Sequence, residues 1–143
     1  LAAIRSLELN PDAFSSHLAV TFARTWSGDL AGALSAAGPA LQMSGRHPWV
    51  LATMTQIFVA MGDQAKAEET HKELLARAVT GYVQCTWLAM SALSRGRIDE
   101  AMDLAFRSVT EFDACGPWFL RWPNIEAFHA HPRYPELRSI AGV

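Results

Sequence analysis

Cysteine is scarce in this chain of 143 residues: there are two, Cys85 and Cys115. Two thiols make no disulfide framework, and no secretory leader opens the sequence, so a reducing cytoplasm is the expected compartment. An excess of either charge is missing too. Twelve Lys and Arg stand against fourteen Asp and Glu, and the basic residues are scattered from Arg5 to Arg138 without a cluster. That pattern leaves no electrostatic footprint for nucleic acid. The longest uncharged run, residues 78–94, is interrupted by Gly81, Gln84 and several hydroxyl side chains. It reads as a buried helix and its approach, not a membrane span. Gly-rich phosphate loops are absent, and no Ser or Cys has a His at a recognisable motif spacing. Neither an enzyme nor a bound cofactor is therefore expected.

What the chain does have is a period. Gly28 and Ala33, Gly62 and Ala67, and Gly96 and Ala101 form three Gly-x-x-x-x-Ala steps spaced 34 residues apart. Val20, Met54 and Leu88 keep the same spacing, as do Thr21, Thr55 and Ala89, and Leu41, Leu75 and Val109. Units of this length cannot bury their apolar faces alone and must stack on their neighbours. Half of the residues are hydrophobic, enough to build a real core.

The apolar positions Phe14, Leu18, Phe22 and Trp26 recur every four residues and predict a helix after Pro11, with Asn10-Pro11-Asp12 as turn and cap. A second helix is predicted over 30–43, kinked or shortened by Pro39. Further helices are predicted over 49–61, opened by Pro48, and over 64–78, 82–94 and 98–112. The period is then lost. Gly116-Pro117-Trp118 and Trp122-Pro123-Asn124 introduce shorter elements, and residues 132–140 predict a last helix.

The helix pairs resemble the tetratricopeptide repeat, with three units over 14–47, 48–81 and 82–115. Residues 1–13 match the end of a preceding unit, so the sequence is expected to be a piece of a longer protein, and 116–143 is expected to be a capping segment. The resemblance implies an all-α fold, a right-handed superhelix of antiparallel helix pairs with C-terminal capping helices. A narrower resemblance rests on Lys72 to Arg77, Gly81-Tyr82-Val83, Asp99-Glu100-Ala101 and His131-Pro132-Arg133-Tyr134-Pro135-Glu136-Leu137. It is to the closing tetratricopeptide region of bacterial multidomain signalling proteins, in which the ending usually reads Asp-Pro-Arg-Phe. His131 and Tyr134 depart from that pattern, as does Arg24 where a large apolar residue is usual. Such proteins carry a nucleotide cyclase, a winged-helix DNA-binding domain or a Ser/Thr kinase upstream.

In repeats of this type the first helix of each pair lines a concave face. The units in register place Leu18, Phe22, Trp26, Trp49, Gln56, Val59, Thr86, Trp87, Met90 and Leu93 there. That face lacks Lys, Arg and Asn, so a clamp for a terminal carboxylate is disfavoured. The expected partner is a protein, an apolar peptide or helix, or a second copy of the chain. Two rival expectations are a dimerising or sensory module of a cyclase or transcription regulator, and a small apolar ligand held between Trp49, Trp87 and the C-terminal tail. The bland alternative is that the tryptophans pack on one another or under the C-terminal segment.

Other chemistry is thinly supported. His129 and His131 share a face only in an extended segment, and Asp113 and Cys115 complete no recognisable zinc motif. Cys85 and Cys115 fall at opposite ends of one helical hairpin, where a disulfide is conceivable. Glu68 with Glu69, and Asp99 with Glu100, read as solvated helix surfaces.

Overall fold

A computed structural model describes residues 2–123 and 125–143, and every regular element among them is helical. In chain order these are α1 (Ala2–Leu9), α2 (Phe14–Trp26), α3 (Leu30–Met43), α4 (Pro48–Ala60), α5 (Gln64–Thr80), α6 (Cys85–Ser94), α7 (Ile98–Thr110), α8 (Gly116–Phe119), α9 (Glu126–His129) and α10 (Tyr134–Ala141). No described helix is long and apolar enough to cross a membrane. The chain divides into two compact units, Leu1–Glu73 and Leu74–Val143.

In the first unit α2 packs against both α1 and α3, and α3 packs on α4. The four-residue stripe buries Leu18 and Phe22. The helix begins without the expected cap, because its N-cap is Ala13 and no side chain accepts there. His17 instead ties the preceding loop down, its Nε2 2.9 Å from the Pro11 carbonyl. Asp29 caps α3 by accepting from the Gly32 amide at 2.9 Å, and that bond satisfies one of the four amides a helix start leaves open. Of the two effects expected of Pro39, a kink or a shortened tail, the shortening does not occur: α3 runs through Pro39 over the expected range, Leu30–Met43.

Pro48 stands at the first position of α4, where its missing amide costs nothing. The His47 ring accepts from the Trp49 amide at 3.1 Å. Ala33 and Ala37 of α3 meet Ile57 of α4 with no exposed surface, flanked by Leu34 and Met54. Arg46, just before α4, forms a two-pronged ion pair with Glu73, well along α5, at 2.6 and 2.5 Å. The start of α4 thus lies beside a late turn of α5, which makes the two antiparallel.

In the second unit α6 starts at Cys85, three residues later than expected, with Gln84 as its N-cap. The cause is tertiary: the carboxylate of Asp113, beyond the end of α7, accepts from the Thr86 amide at 3.0 Å and fixes where the helix begins. α6 and α7 form the paired layer, and α8, α9 and α10 all pack on α7. Gly116 permits one of these approaches, since a Cβ there would stand 2.8 Å from Ser108 Oγ. Phe119, Phe128 and Leu137 are completely buried, and Tyr134 donates its hydroxyl to the Leu120 carbonyl at 2.9 Å. The expected last helix is α10, displaced to Tyr134–Ala141. Asn124, part of the expected Trp-Pro-Asn break, lies outside the described residues.

Candidate interaction surfaces

The helices α2 and α4 carry an aromatic strip in the first unit. Phe22 stacks on Trp26 with centroids 5.6 Å apart and meets Trp49 of α4 at 6.0 Å. Burial is graded along it: Leu18 and Phe22 are buried, Trp49, Gln56 and Val59 are half-buried, and Trp26 is 47% exposed. Of the residues expected on a concave face in this unit, Trp26 therefore presents the largest accessible apolar surface. Its ring rests on Phe22, which holds its plane without covering it.

The corresponding residues of the second unit are treated differently. Thr86, Trp87 and Met90 are buried, and Leu93 is half-buried. The edge of Trp118 meets Trp87 at 6.5 Å, and Trp118 packs perpendicular to Trp122 at 4.3 Å. The segment after α7 thus folds over Trp87, whose indole donates to Gln84 Oε1 at 2.8 Å. Exposure passes to Trp118, which keeps 45% of its surface.

Asp113 organises the polar chemistry of this unit. It is 5% exposed, and besides Thr86 it accepts from Gln84 Nε2 at 2.8 Å and from the Cys115 amide at 2.9 Å. Three donors satisfy the buried carboxylate without a cation. The two thiols nearby are free, so the conceivable disulfide is not formed. Cys85 points its Sγ at Glu111, 3.5 Å away, while Cys115 Sγ lies 3.8 Å from the Gln84 amide nitrogen. Burial, above all, raises the pKa of both thiols, and the negative charge of Asp113 adds to it. Both are therefore held as protonated, weak nucleophiles.

The histidines take structural contacts. His129 Nε2 lies 3.1 Å from the Leu120 carbonyl, and His131 Nε2 lies 3.0 Å from Asp99. Among the described residues no group of three His, Cys, Asp or Glu side chains could hold a metal ion.

A further surface, which sequence reasoning missed, lies at the end of α7. Six helices close with one hydrogen-bond pattern, in which a left-handed residue donates three residues back and its successor donates five back. Five of those left-handed positions hold Gly28, Gly45, Gly62, Gly96 and Gly142; the sixth, after α7, holds Phe112 at φ 58°. Phe112 is 93% exposed. It forms one wall of a pocket of about 320 Å³ that Val109, Asp113, Ala114, Pro117, Ile140 and Ala141 also line. The available signal was the absence of Gly two residues after α7, where α2, α3, α4 and α6 each have one.

No family model, no curated protein and no solved structure matches this chain.

Proposed function

We propose that the chain is a protein-interaction module of the tetratricopeptide type, a right-handed superhelix that presents a preformed apolar surface to a protein or an apolar helix. The observation that carries this reading is the recurrence of one hairpin geometry at a fixed period. Gly28, Gly62 and Gly96 all take positive φ between paired helices, and Ala33, Ala67 and Ala101 are all fully buried five residues later. Such architecture offers extended surface and rigid presentation, which lowers the ordering cost of binding. Within the first unit the strip from Phe22 to Trp26 and Trp49 has the character of a binding hot spot, aromatic and held in place by its neighbours.

The test is a photo-crosslinking residue placed at Trp26 in cells of the source organism, with a second placed at the exposed Lys72 as control. A discrete protein adduct at position 26 and none at 72 is the expected result. Equal labelling at both positions, or none at either, would remove the assignment.

A further inference from the structure

The starts of α3, α5 and α6 are held by carboxylates. Asp29 accepts from the Gly32 amide, Asp63 from the Lys66 amide and Asp113 from the Thr86 amide. A carboxyl group keeps an acceptor oxygen in either protonation state. The start of α4 is held differently, by Nδ1 of His47, 3.1 Å from the Trp49 amide nitrogen. Because Pro48 has no amide, that of Trp49 is the first donor of this helix. A neutral imidazole has one acceptor nitrogen and loses it on protonation, ordinarily near pH 6.5.

The bond to Trp49 places the ring proton of His47 on Nε2. A second proton, on Nδ1, would meet the Trp49 amide donor to donor, and the new charge would stand at the positive end of α4. Arg46, next along the chain, adds a like charge. From α5 the Glu73 carboxylate faces this turn, but Arg46 engages both of its oxygens, and Glu69 one turn earlier also acts on Arg46. From α2 the neighbour is the uncharged ring of Phe14, stacked on His47 at 5.7 Å. Trp49 carries the consequence into the aromatic strip, since its ring meets Phe22 at 6.0 Å and Phe22 stacks on Trp26.

We infer that His47 is a proton-operated catch on that strip: neutral, it fixes the first turn of α4 and with it Trp49; protonated, it lets the turn fray and the strip loosen. The closed turn binds fewer protons than the open one, so it is favoured as pH rises and lost as pH falls below about 6.5. Its role in binding, release of the partner on acidification, rests on the reading of the strip as the interaction surface.

Amide hydrogen exchange of the 143-residue chain, read by NMR at about pH 7.5 and about pH 5, on either side of the imidazole range, tests the catch without any partner. The Gly32 amide, held by Asp29, is the internal reference. The expected result is that protection of the Trp49 amide, corrected for intrinsic exchange, falls about 5- to 10-fold at the lower pH while that of Gly32 holds. His47→Asn supplies an amide oxygen that does not titrate, so it should keep Trp49 protected at both pH values; His47→Ala should expose it at both. Trp49 protection that is unchanged by pH in the wild-type chain, or that falls equally in His47→Asn, would overturn the proposal. Since no partner enters the measurement, a failed crosslink at Trp26 would remove the assignment of the strip and not the catch.

Discussion

The two compact units share one repeat period and close their hairpins differently. In Leu1–Glu73 the α3–α4 junction is made by small residues, Ala33 and Ala37 meeting Ile57, and the α2–α3 and α4–α5 turns are each a Gly followed by a local Asp cap. In Leu74–Val143 the same kind of hairpin is held by a long-range carboxylate, Asp113, and roofed by an aromatic segment in which Phe119 and Phe128 meet at 5.4 Å. A repeat whose neighbour repeats its pattern can bury its face on similar small-residue contacts. Where the period ends, the exposed face needs cover of another kind, and large aromatic side chains supply it.

That contrast can be broken experimentally, starting where the effect is greatest. Phe128→Ala in the second unit should lose about 3 to 5 kcal/mol, since the ring is fully buried among Phe119 and Tyr134; urea unfolding followed by circular dichroism reads it. Asp113→Ala should cost about 2 to 3 kcal/mol by orphaning the amides of Thr86 and Cys115 together with the Gln84 side chain. Hydrogen exchange should locate that loss at the start of α6. In the first unit the vulnerable direction is reversed, and Ala33→Leu should cost about 1 to 3 kcal/mol by overpacking a junction with no spare volume. A neutral outcome there would mean that the helices can part without penalty, against the close crossing described.

Smaller effects compare two helix ends of the second unit. Gly96→Ala should lose about 1 kcal/mol because φ is 75° there, whereas Phe112→Gly, at φ 58°, should hold or raise stability by up to about 1 kcal/mol. Urea midpoints of the two variants should move in opposite directions. The thiols set a pH dependence with a defined sign. Folding raises the pKa of Cys85 and Cys115 above the ordinary value of 9.0, so the folded chain holds those protons more tightly than the unfolded one. Their contribution is whole below pH 9 and declines as the pH rises further. Cys85→Ser with Cys115→Ser should flatten that alkaline decline, which thermal unfolding at pH 8 and pH 10 would register.

The helix pattern was legible because its causes are local. Phe14 to Trp26 at four-residue spacing, Pro48 at a helix start and the Gly residues at three turns act within a few residues of themselves, and the helices formed there. Where the expectation slipped, a distant group decided. The start of α6 moved to Cys85 because Asp113 reaches it from beyond α7.

The candidate surface divides in the same way. Register alone assigned Leu18, Phe22, Trp26, Trp49, Gln56, Val59, Thr86, Trp87, Met90 and Leu93 to one kind of helix face. It carried no information on which of them a later segment would cover, because Trp118, packed on Trp122, reaches Trp87 only after the chain has turned back on α6 and α7. The sequence by itself determined helical content, the 34-residue period and the places where turns must fall, since propensity, capping and glycine geometry are properties of neighbouring residues. Only the tertiary structure decided that Trp26 stays exposed while Trp87 is roofed, and that an unburied Phe112 forms one wall of a pocket. Exposure depends on what distant residues bring to a site, and no local pattern records it.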